Sequence, residues 1–265
     1  MKQEDSPILS IITINRNNAN GLKRTIESVI AQTFKDFEWI VIDGASTDES
    51  IDVIKKYAEH FTYWISEKDS GVYDAMNKGI QKAHGKYLLF MNSGDMLAEN
   101  TSIEQMSLDK MDVDLIGGIA KVDDTSEMIT PPAALTLRHL LQYGNVSHQA
   151  CIIRRELFEK IGLYSTDLRI LSDFEFMMKC AVRDSTYLCT QQIVAIVESG
   201  GLSDTECENM HTEEQIIFDR VIPKSVQQDY MYWLNKKTYS RPSVIWFCEN
   251  QRRLKLLNLI YRIFK

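Results

Sequence analysis

Five cysteines, Cys151, Cys180, Cys189, Cys207 and Cys248, are an odd number and form no CxxC pair. That pattern excludes a disulfide framework or a CxxC-type zinc site and is expected of reduced packing thiols in a cytosolic protein. No run reaches about 18 apolar residues, so no bilayer-spanning helix is expected. Met1–Ser10 carries acids and no apolar core, so no signal peptide is expected either. Positive charge is in deficit: 30 Lys plus Arg against 37 Asp plus Glu leaves −7. A general nucleic-acid footprint needs the opposite balance, whereas a nucleotide site does not, because a metal or backbone dipoles can neutralise a few phosphates. The glycine-rich turn of dinucleotide-binding oxidoreductases is missing too. Asn15-Arg16-Asn17-Asn18 follows the first apolar run, and no glycine comes before Gly21. Internal repeats and low-complexity segments are likewise absent.

What is present is the composition of a soluble globular chain, 44% hydrophobic and 25% charged over 265 residues, long enough to bury a core without staples. Its first half alternates two periodicities. Ile8–Asn15, Phe37–Asp43, Thr62–Ser66 and Tyr87–Met91 read as strands, the first a β-branched run suited to burial on both faces. Between them, Gly21–Gln32, Ser50–His60 and Val72–Ala83 read as helices, the second opened by a Ser46/Glu49 capping box. This order predicts an α/β fold with a mostly parallel sheet flanked by helices. The second half is less regular, with strands over Leu115–Ile119, Ala150–Arg154 and Ile193–Val197. Helices are expected near Leu135–Gln142 and over Asp173–Val182, and a loop carries Gly200-Gly201.

Ligands of such sheets bind at the carboxyl ends of the strands. Asn15 and Arg16 follow the first strand, Asp43 ends the second and Asp95 follows the fourth. Packing alone does not explain polar residues collected on one rim. At the other end of the chain, Arg241–Lys265 interleaves six basic residues and one acid, Glu249, with Trp246, Phe247 and aliphatic residues. That is the pattern of a basic amphipathic helix at a membrane interface, or of a helix docked on the domain.

Taken in order, SIITINRN, SVIAQTFKDFEWIVIDGASTDES, SEKDSGVYDAMNKGIQKAHGKYLLFMNSGD, SHQACIIRRELFEKIGLY, LSDFEF and SGGLS resemble glycosyltransferase family 2 over about residues 8–205. Within it, the chain is most similar to the subgroup serving bacterial surface-polysaccharide assembly. The resemblance implies a GT-A nucleotide-diphospho-sugar transferase fold over residues 1–205, with a nucleotide-binding half to about 98 and an acceptor half over 99–205. Residues 206–265 would form a helical extension with a basic tail. It further implies an inverting transfer from a nucleoside-diphosphate sugar, commonly UDP-linked, to the hydroxyl of a saccharide or lipid-linked saccharide. The enzyme would be cytoplasmic, with the tail as an expected means of holding it at the inner face of the membrane.

Site residues follow from the same resemblance. Asp43 would bind the nucleobase, with Thr13 and Asn15 lining that pocket; the alternative is that Asp43 and Asp48 only cap the next helix. Asp69 and Asn77 fall in segments bordering the nucleotide and donor sugar, though a turn residue and a structural hydrogen-bonder would look the same. Asn92-Ser93-Gly94-Asp95 stands where the family carries its acidic DxD motif, with Ser93 and Asp95 as expected contacts and Asp95 as ligand to Mg²⁺ or Mn²⁺. The motif is incomplete, because Asn92 and Gly94 replace positions that are often Asp. Asp173 matches the family's base and outranks Glu175, which lies two helical residues away. His148 is expected to line the donor or acceptor pocket. A non-catalytic nucleotide- or glycan-binding module on the same fold is the competing reading, supported by the incomplete motif.

Overall fold

The computed structural model describes residues 6–143, 146–200 and 207–228, and the chain divides into two compact units between Gln215 and Ile216. The basic tail Arg241–Lys265 and Gly201 lie outside the described residues.

Strand β1 (Leu9–Asn15) is buried along its whole length, its polar Ser10, Thr13 and Asn15 included. It pairs in parallel with β2 (Phe37–Asp43) on one side and β4 (Tyr87–Phe90) on the other, and β2 pairs in parallel with β3 (Tyr63–Ser66). Helix α1 (Ala19–Ile30) joins the first two strands. It buries Leu22, Ile26 and Val29, one helical stripe, and is capped by Asn18, whose side chain accepts from the Gly21 N–H at 3.0 Å. The capping box expected at Ser46/Glu49 does not form. Helix α2 (Ser50–Lys56) is shorter than its sequence suggests and has no side-chain cap from Glu49. Ser46 instead turns back to Asp43, and Asp48 accepts from the Ser50 and Ala19 N–H groups. Helix α3 (Val72–Lys82) leads into β4.

Beyond β4 the sheet turns mixed. Its described order is β3-β2-β1-β4-β8-β6-β9-β5, with β7 (Met128–Ile129) on β6 (Leu115–Val122). Strand β8 (Cys151–Arg154) runs antiparallel to both β4 and β6, whereas β9 (Tyr187–Val197) is parallel to β6 and pairs antiparallel with the two-residue β5 (Met96–Leu97). The parallel sheet expected from the β-α-β-α pattern is therefore the first four strands. In the second half the long crossover that a parallel pair needs joins only β6 to β9 among the described strands, and it carries β8 and the helices α5 (Leu137–Tyr143) and α6 (Glu156–Ile161), while the short α4 (Ser102–Gln105) precedes β6.

Helix α7 (Ser172–Val182) is seated by aromatic packing. Phe176 stacks on Phe158 with centroids 4.4 Å apart, and Tyr164 and Phe90 close the cluster. Phe90 and Phe176 are almost fully buried, a burial that stabilises by about 1.5–3 kcal/mol per side chain. Burial pushes the Cys180 thiol up to about 12 and that of Cys151 higher still, as expected of inert packing thiols. Helix α8 (Cys207–Val221) follows. Glu213 on it accepts from the backbone N–H groups of Arg169, Ile170 and Leu171 at 2.6, 3.0 and 2.8 Å, tying down the turn that leads into α7.

Candidate active site

The strand register puts Asn15 directly beside Asp43 at the carboxyl ends of β1 and β2. The Asn15 amide donates to Asp43 Oδ1 at 2.8 Å. Asp43 is fully buried and accepts three more bonds, from the Ser46 hydroxyl and N–H and from the Ser66 hydroxyl at the end of β3. A carboxylate is stable without a counter-ion when its lone pairs are filled this way. The amide nitrogen of Asn15 must face that carboxylate, which fixes its other end: Asn15 Oδ1 is buried and accepts nothing. Thr13, two residues earlier on the same face, does not reach the rim. It is fully buried, and its hydroxyl accepts from the Trp39 indole at 3.0 Å.

The Asp69 side chain packs closely on the turn after β2. Asp69 lies over Gly44, where a Cβ would stand 2.3 Å from its Oδ2, so a side chain at 44 would push the Asp69 carboxylate aside. Ala45 then takes a left-handed φ of 56°, a costly conformation that sends Ser46 back to Asp43. Asp69 also accepts from the Gly71 N–H and sits 3.9 Å from the exposed Arg16 guanidinium. Asn77 is wholly engaged within the protein. Its amide donates to the Tyr164 carbonyl at 2.8 Å and accepts from the Tyr164 N–H at 3.0 Å, clamping α3 to the segment before α7.

At the end of β4, the Ser93 N–H donates to the Ile14 carbonyl, and the Ser93 carbonyl accepts from the Asn18 side chain. Asp95 is buried, accepting from the Gln149 amide at 3.1 Å and the Glu198 N–H at 3.0 Å. Burial drives its carboxyl above the usual range, against the pull of those two donors and of His148. Gly94 has a φ of 105°, and a Cβ there would lie 2.1 Å from Glu198 Oε2. The carboxylate of Glu198, brought by the end of β9, thus fills the space a side chain at 94 would occupy. No cluster of three or more acidic, histidine or cysteine ligands occurs among the described residues. The oxygen chemistry still suits a hard cation: Asp95 is a buried carboxylate with a second, Glu198, beside it.

Asp173 opens α7 and is buried. Its Oδ1 accepts from the Tyr73 hydroxyl and from the Phe174 N–H, both at 2.9 Å, and its Oδ2 lies 3.2 Å from His148 Nδ1. His148 Nε2 lies 3.1 Å from the Asn92 amide. Burial works to lower the pKa of the His148 imidazole, but the bond and charge of Asp173, with Asp95 nearby, leave it raised. Glu175 is buried elsewhere, with Ser165 and Lys179 as partners. The structure therefore forms two connected groups, Asn15–Asp43 and Asp173–His148–Asn92. Gln149, next to His148, links the second group to Asp95.

Sequence reading missed Ser66, Tyr73, Gln149, Glu198 and Glu213. Ser66 was available from the rim rule, since it ends β3, and Tyr73 lies one helical turn before Asn77 on the same face. Glu198 and Glu213 act over more than 40 residues of separation and leave no local signal.

A mixed sheet flanked by helices, with carboxylates gathered on the rim of its parallel half, is the GT-A architecture of glycosyltransferases. The sequence profile of glycosyl transferase family 2 matches residues 10–162, and the chain belongs to that family. A PGL/p-HBAD biosynthesis glycosyltransferase of Mycobacterium bovis is 34% identical over 210 residues, covering 76% of this chain and 80% of the relative. An uncharacterised glycosyltransferase of Mycobacterium tuberculosis is 34% identical over 189 residues, 67% of this chain and 70% of that one. Among solved structures, S. aureus TarS superposes with a TM-score of 0.64 at 18% identity, over 79% of this chain and 38% of the TarS chain. TarS 1–349 with UDP-GlcNAc gives 0.60 at 18% identity, over 73% and 59% of the two chains. Mannosyltransferase PcManGT from Pyrobaculum calidifontis, in complex with GDP-Man and Mn2+, gives 0.58 at 17%, over 72% and 56%. The protein is a glycosyltransferase. No helix of the described residues is long and apolar enough to cross a membrane.

Proposed function

We propose that the enzyme moves a hexose or N-acetylhexosamine from a UDP-linked donor to a hydroxyl of a saccharide or lipid-linked saccharide, with inversion, in bacterial cell-surface polysaccharide assembly. The observation that carries this reading is Asp173: a buried carboxylate held at both oxygens by Tyr73, the Phe174 N–H and His148. Asp173 takes the proton of the acceptor hydroxyl as that oxygen attacks the anomeric carbon from the side opposite the diphosphate. The glycosidic bond forms, the bond to the diphosphate oxygen breaks, and the nucleoside diphosphate leaves with the electron pair.

Residues 1–98 do the donor's work in this reading and residues 99–205 the acceptor's. Asn15 Oδ1 is left to accept an N–H of the nucleobase, and the Ser46 and Ser66 hydroxyls can swing off Asp43 to let it do the same. Asp69 and Ser93 border the nucleotide. Thr13 and Asn77, whose polar groups are spent inside the protein, shape the pocket from behind. Asp95 and Glu198 would hold Mg²⁺ or Mn²⁺, which when bound neutralises charge on the leaving diphosphate. A UDP complex and a UDP-GlcNAc complex of the structural neighbour TarS support the choice of nucleotide. The name of the mycobacterial relative, PGL/p-HBAD biosynthesis, supports a lipid-linked acceptor. The tail Arg241–Lys265 would hold the enzyme to the cytoplasmic face of the membrane.

A thermal-shift panel of UDP, GDP, CDP and dTDP, each with and without Mn²⁺, tests the donor. A ligand at about a hundred times its dissociation constant adds roughly 2.7 kcal/mol. UDP with Mn²⁺ is expected to give the largest shift. A GDP-only response would overturn the choice of donor, and no response to any nucleotide would favour the non-catalytic module.

A further inference from the structure

Given Asp173 as the base, the imidazole of His148 raises a question of role. An Asp–His pair is usually a base with its orienting carboxylate, the histidine doing the chemistry through its outward nitrogen. Here that outward nitrogen is not free. Nε2 lies 3.1 Å from the amide nitrogen of Asn92, and Nδ1 lies 3.2 Å from Asp173 Oδ2. With the Asn92 amide nitrogen turned toward the ring, Nε2 presents its lone pair to Asn92 and the proton of a neutral ring sits on Nδ1, pointing at Asp173. The Nε2 lone pair that would deprotonate a hydroxyl is already taken, inside the protein. Asn92 is well chosen for this. A carboxylate at 92 could only accept; it would call a proton to Nε2 and make the ring a cation or strip the proton from Nδ1. The residue that breaks the family's acidic motif is the residue that fixes the tautomer.

We propose that His148 is a positioning residue for Asp173, held by Asn92 in the neutral Nδ1–H tautomer. On this reading the turn His148-Gln149 sets the spacing between the base and the diphosphate-side carboxylate. Its two consecutive side chains donate to Asp173 Oδ2 and, through the Gln149 amide at 3.1 Å, to Asp95 Oδ2. The proposal rests on Asp173 being the base of the transfer and adds how that base is held. It also separates the roles: Asp173 touches substrate, and His148 acts through it.

Long-range ¹H–¹⁵N NMR of the full chain labelled with ¹⁵N-histidine, at pH 8, reads the tautomer directly; the His148 signals are those missing from H148N. The expected result is a protonated Nδ1 and a bare Nε2, shifting toward the other tautomer in N92L. A wild-type ring protonated at Nε2 would overturn the proposal outright. Kinetics then separate positioning from packing, using UDP release from the UDP-linked donor. H148N keeps a donor where Nδ1 was and should retain most of kcat. H148Q carries its amide one methylene further out and should lose about tenfold to a hundredfold in kcat, the scale of a misplaced reacting group, with UDP affinity unchanged. Equal losses in the two variants would assign the ring itself as the base and sink the proposal. Failure of the wild type to bind UDP would instead count against the donor reading and would leave the tautomer result standing.

Discussion

Glu213 makes the most demanding prediction, because its carboxylate is the shared acceptor for three consecutive N–H groups at Arg169, Ile170 and Leu171. Hydrogen bonds to a charged acceptor contribute about 1.5–3 kcal/mol, and a buried donor left unpaired costs about 1–3 kcal/mol. In E213Q the amide oxygen can keep the two N–H groups now on Oε2. The amide nitrogen then faces the Arg169 N–H, donor against donor. One bond of the charged kind is lost and two are weakened, so the turn should open more easily by about 2 kcal/mol, a factor of roughly 30 in open population. E213A leaves all three N–H groups without this partner and should cost more. The change should be local: hydrogen exchange by mass spectrometry should speed up in a peptide covering 169–174 and stay near wild type in β1 and β2. Because Asp173 starts two residues past the turn, kcat should fall while UDP affinity holds. Unchanged exchange at 169–174 in E213A, or an acceleration spread evenly over the chain, would refute the reasoning that this carboxylate holds the turn before Asp173.

Four further outcomes are expected. D173N should reduce transfer by a hundredfold or more, with nucleotide affinity in calorimetry nearly intact. G94A should destabilise the protein in urea titrations by about 1–3 kcal/mol from its φ of 105° and its clash with Glu198, and E198A in the same chain should recover the clash part only. D95N should abolish the Mn²⁺-dependent part of the UDP thermal shift and leave the metal-independent part. Glu38 supplies a pH test. Burial works to raise its pKa, but the Ser10 hydroxyl and the His84 and Gly85 N–H groups outweigh it and hold the carboxyl below its usual value. A lowered folded-state pKa stabilises above the unfolded value, about 4.3, and the gain is lost as pH falls through the folded value. The stability advantage of wild type over E38Q should therefore be full at pH 7 and shrink below about pH 4.3 in equilibrium unfolding.

The first half of the chain was legible because its signals are local. β-branched runs buried on both faces, helical stripes such as Leu22, Ile26 and Val29, and acids at strand ends all fall within a dozen residues. Asp43 and Asn15 could be paired from the rim rule before any coordinates. The second half was less so. Strand β9 begins at Tyr187 rather than Ile193, because its first residues are half exposed and polar and carry no alternation. Short elements such as β5 exist only through a partner a hundred residues away. The motif gap at Asn92 and Gly94 read as a loss, and only the fold reveals that Glu198 stands over Gly94 and that Asn92 is bonded to His148. Ser46 shows the opposite error: a local rule predicted a helix cap, and the buried Asp43 carboxylate, needing donors, took the hydroxyl instead.

The antiparallel course of β8 has a consequence for how this enzyme can change over generations. Since β8 runs against β6, the chain leaves the rim at Val122 and comes back to the same rim at Ser147, so everything between is a detour with fixed endpoints. Closing a longer detour costs only slowly more entropy. Outside β7, which is tied to β6, and the buried Leu140, the described part of that stretch can change in length while His148 and Gln149 keep their places beside Asp173 and Asp95. Such a cassette can vary in sequence without rebuilding the group formed by Asp173, His148 and Asn92.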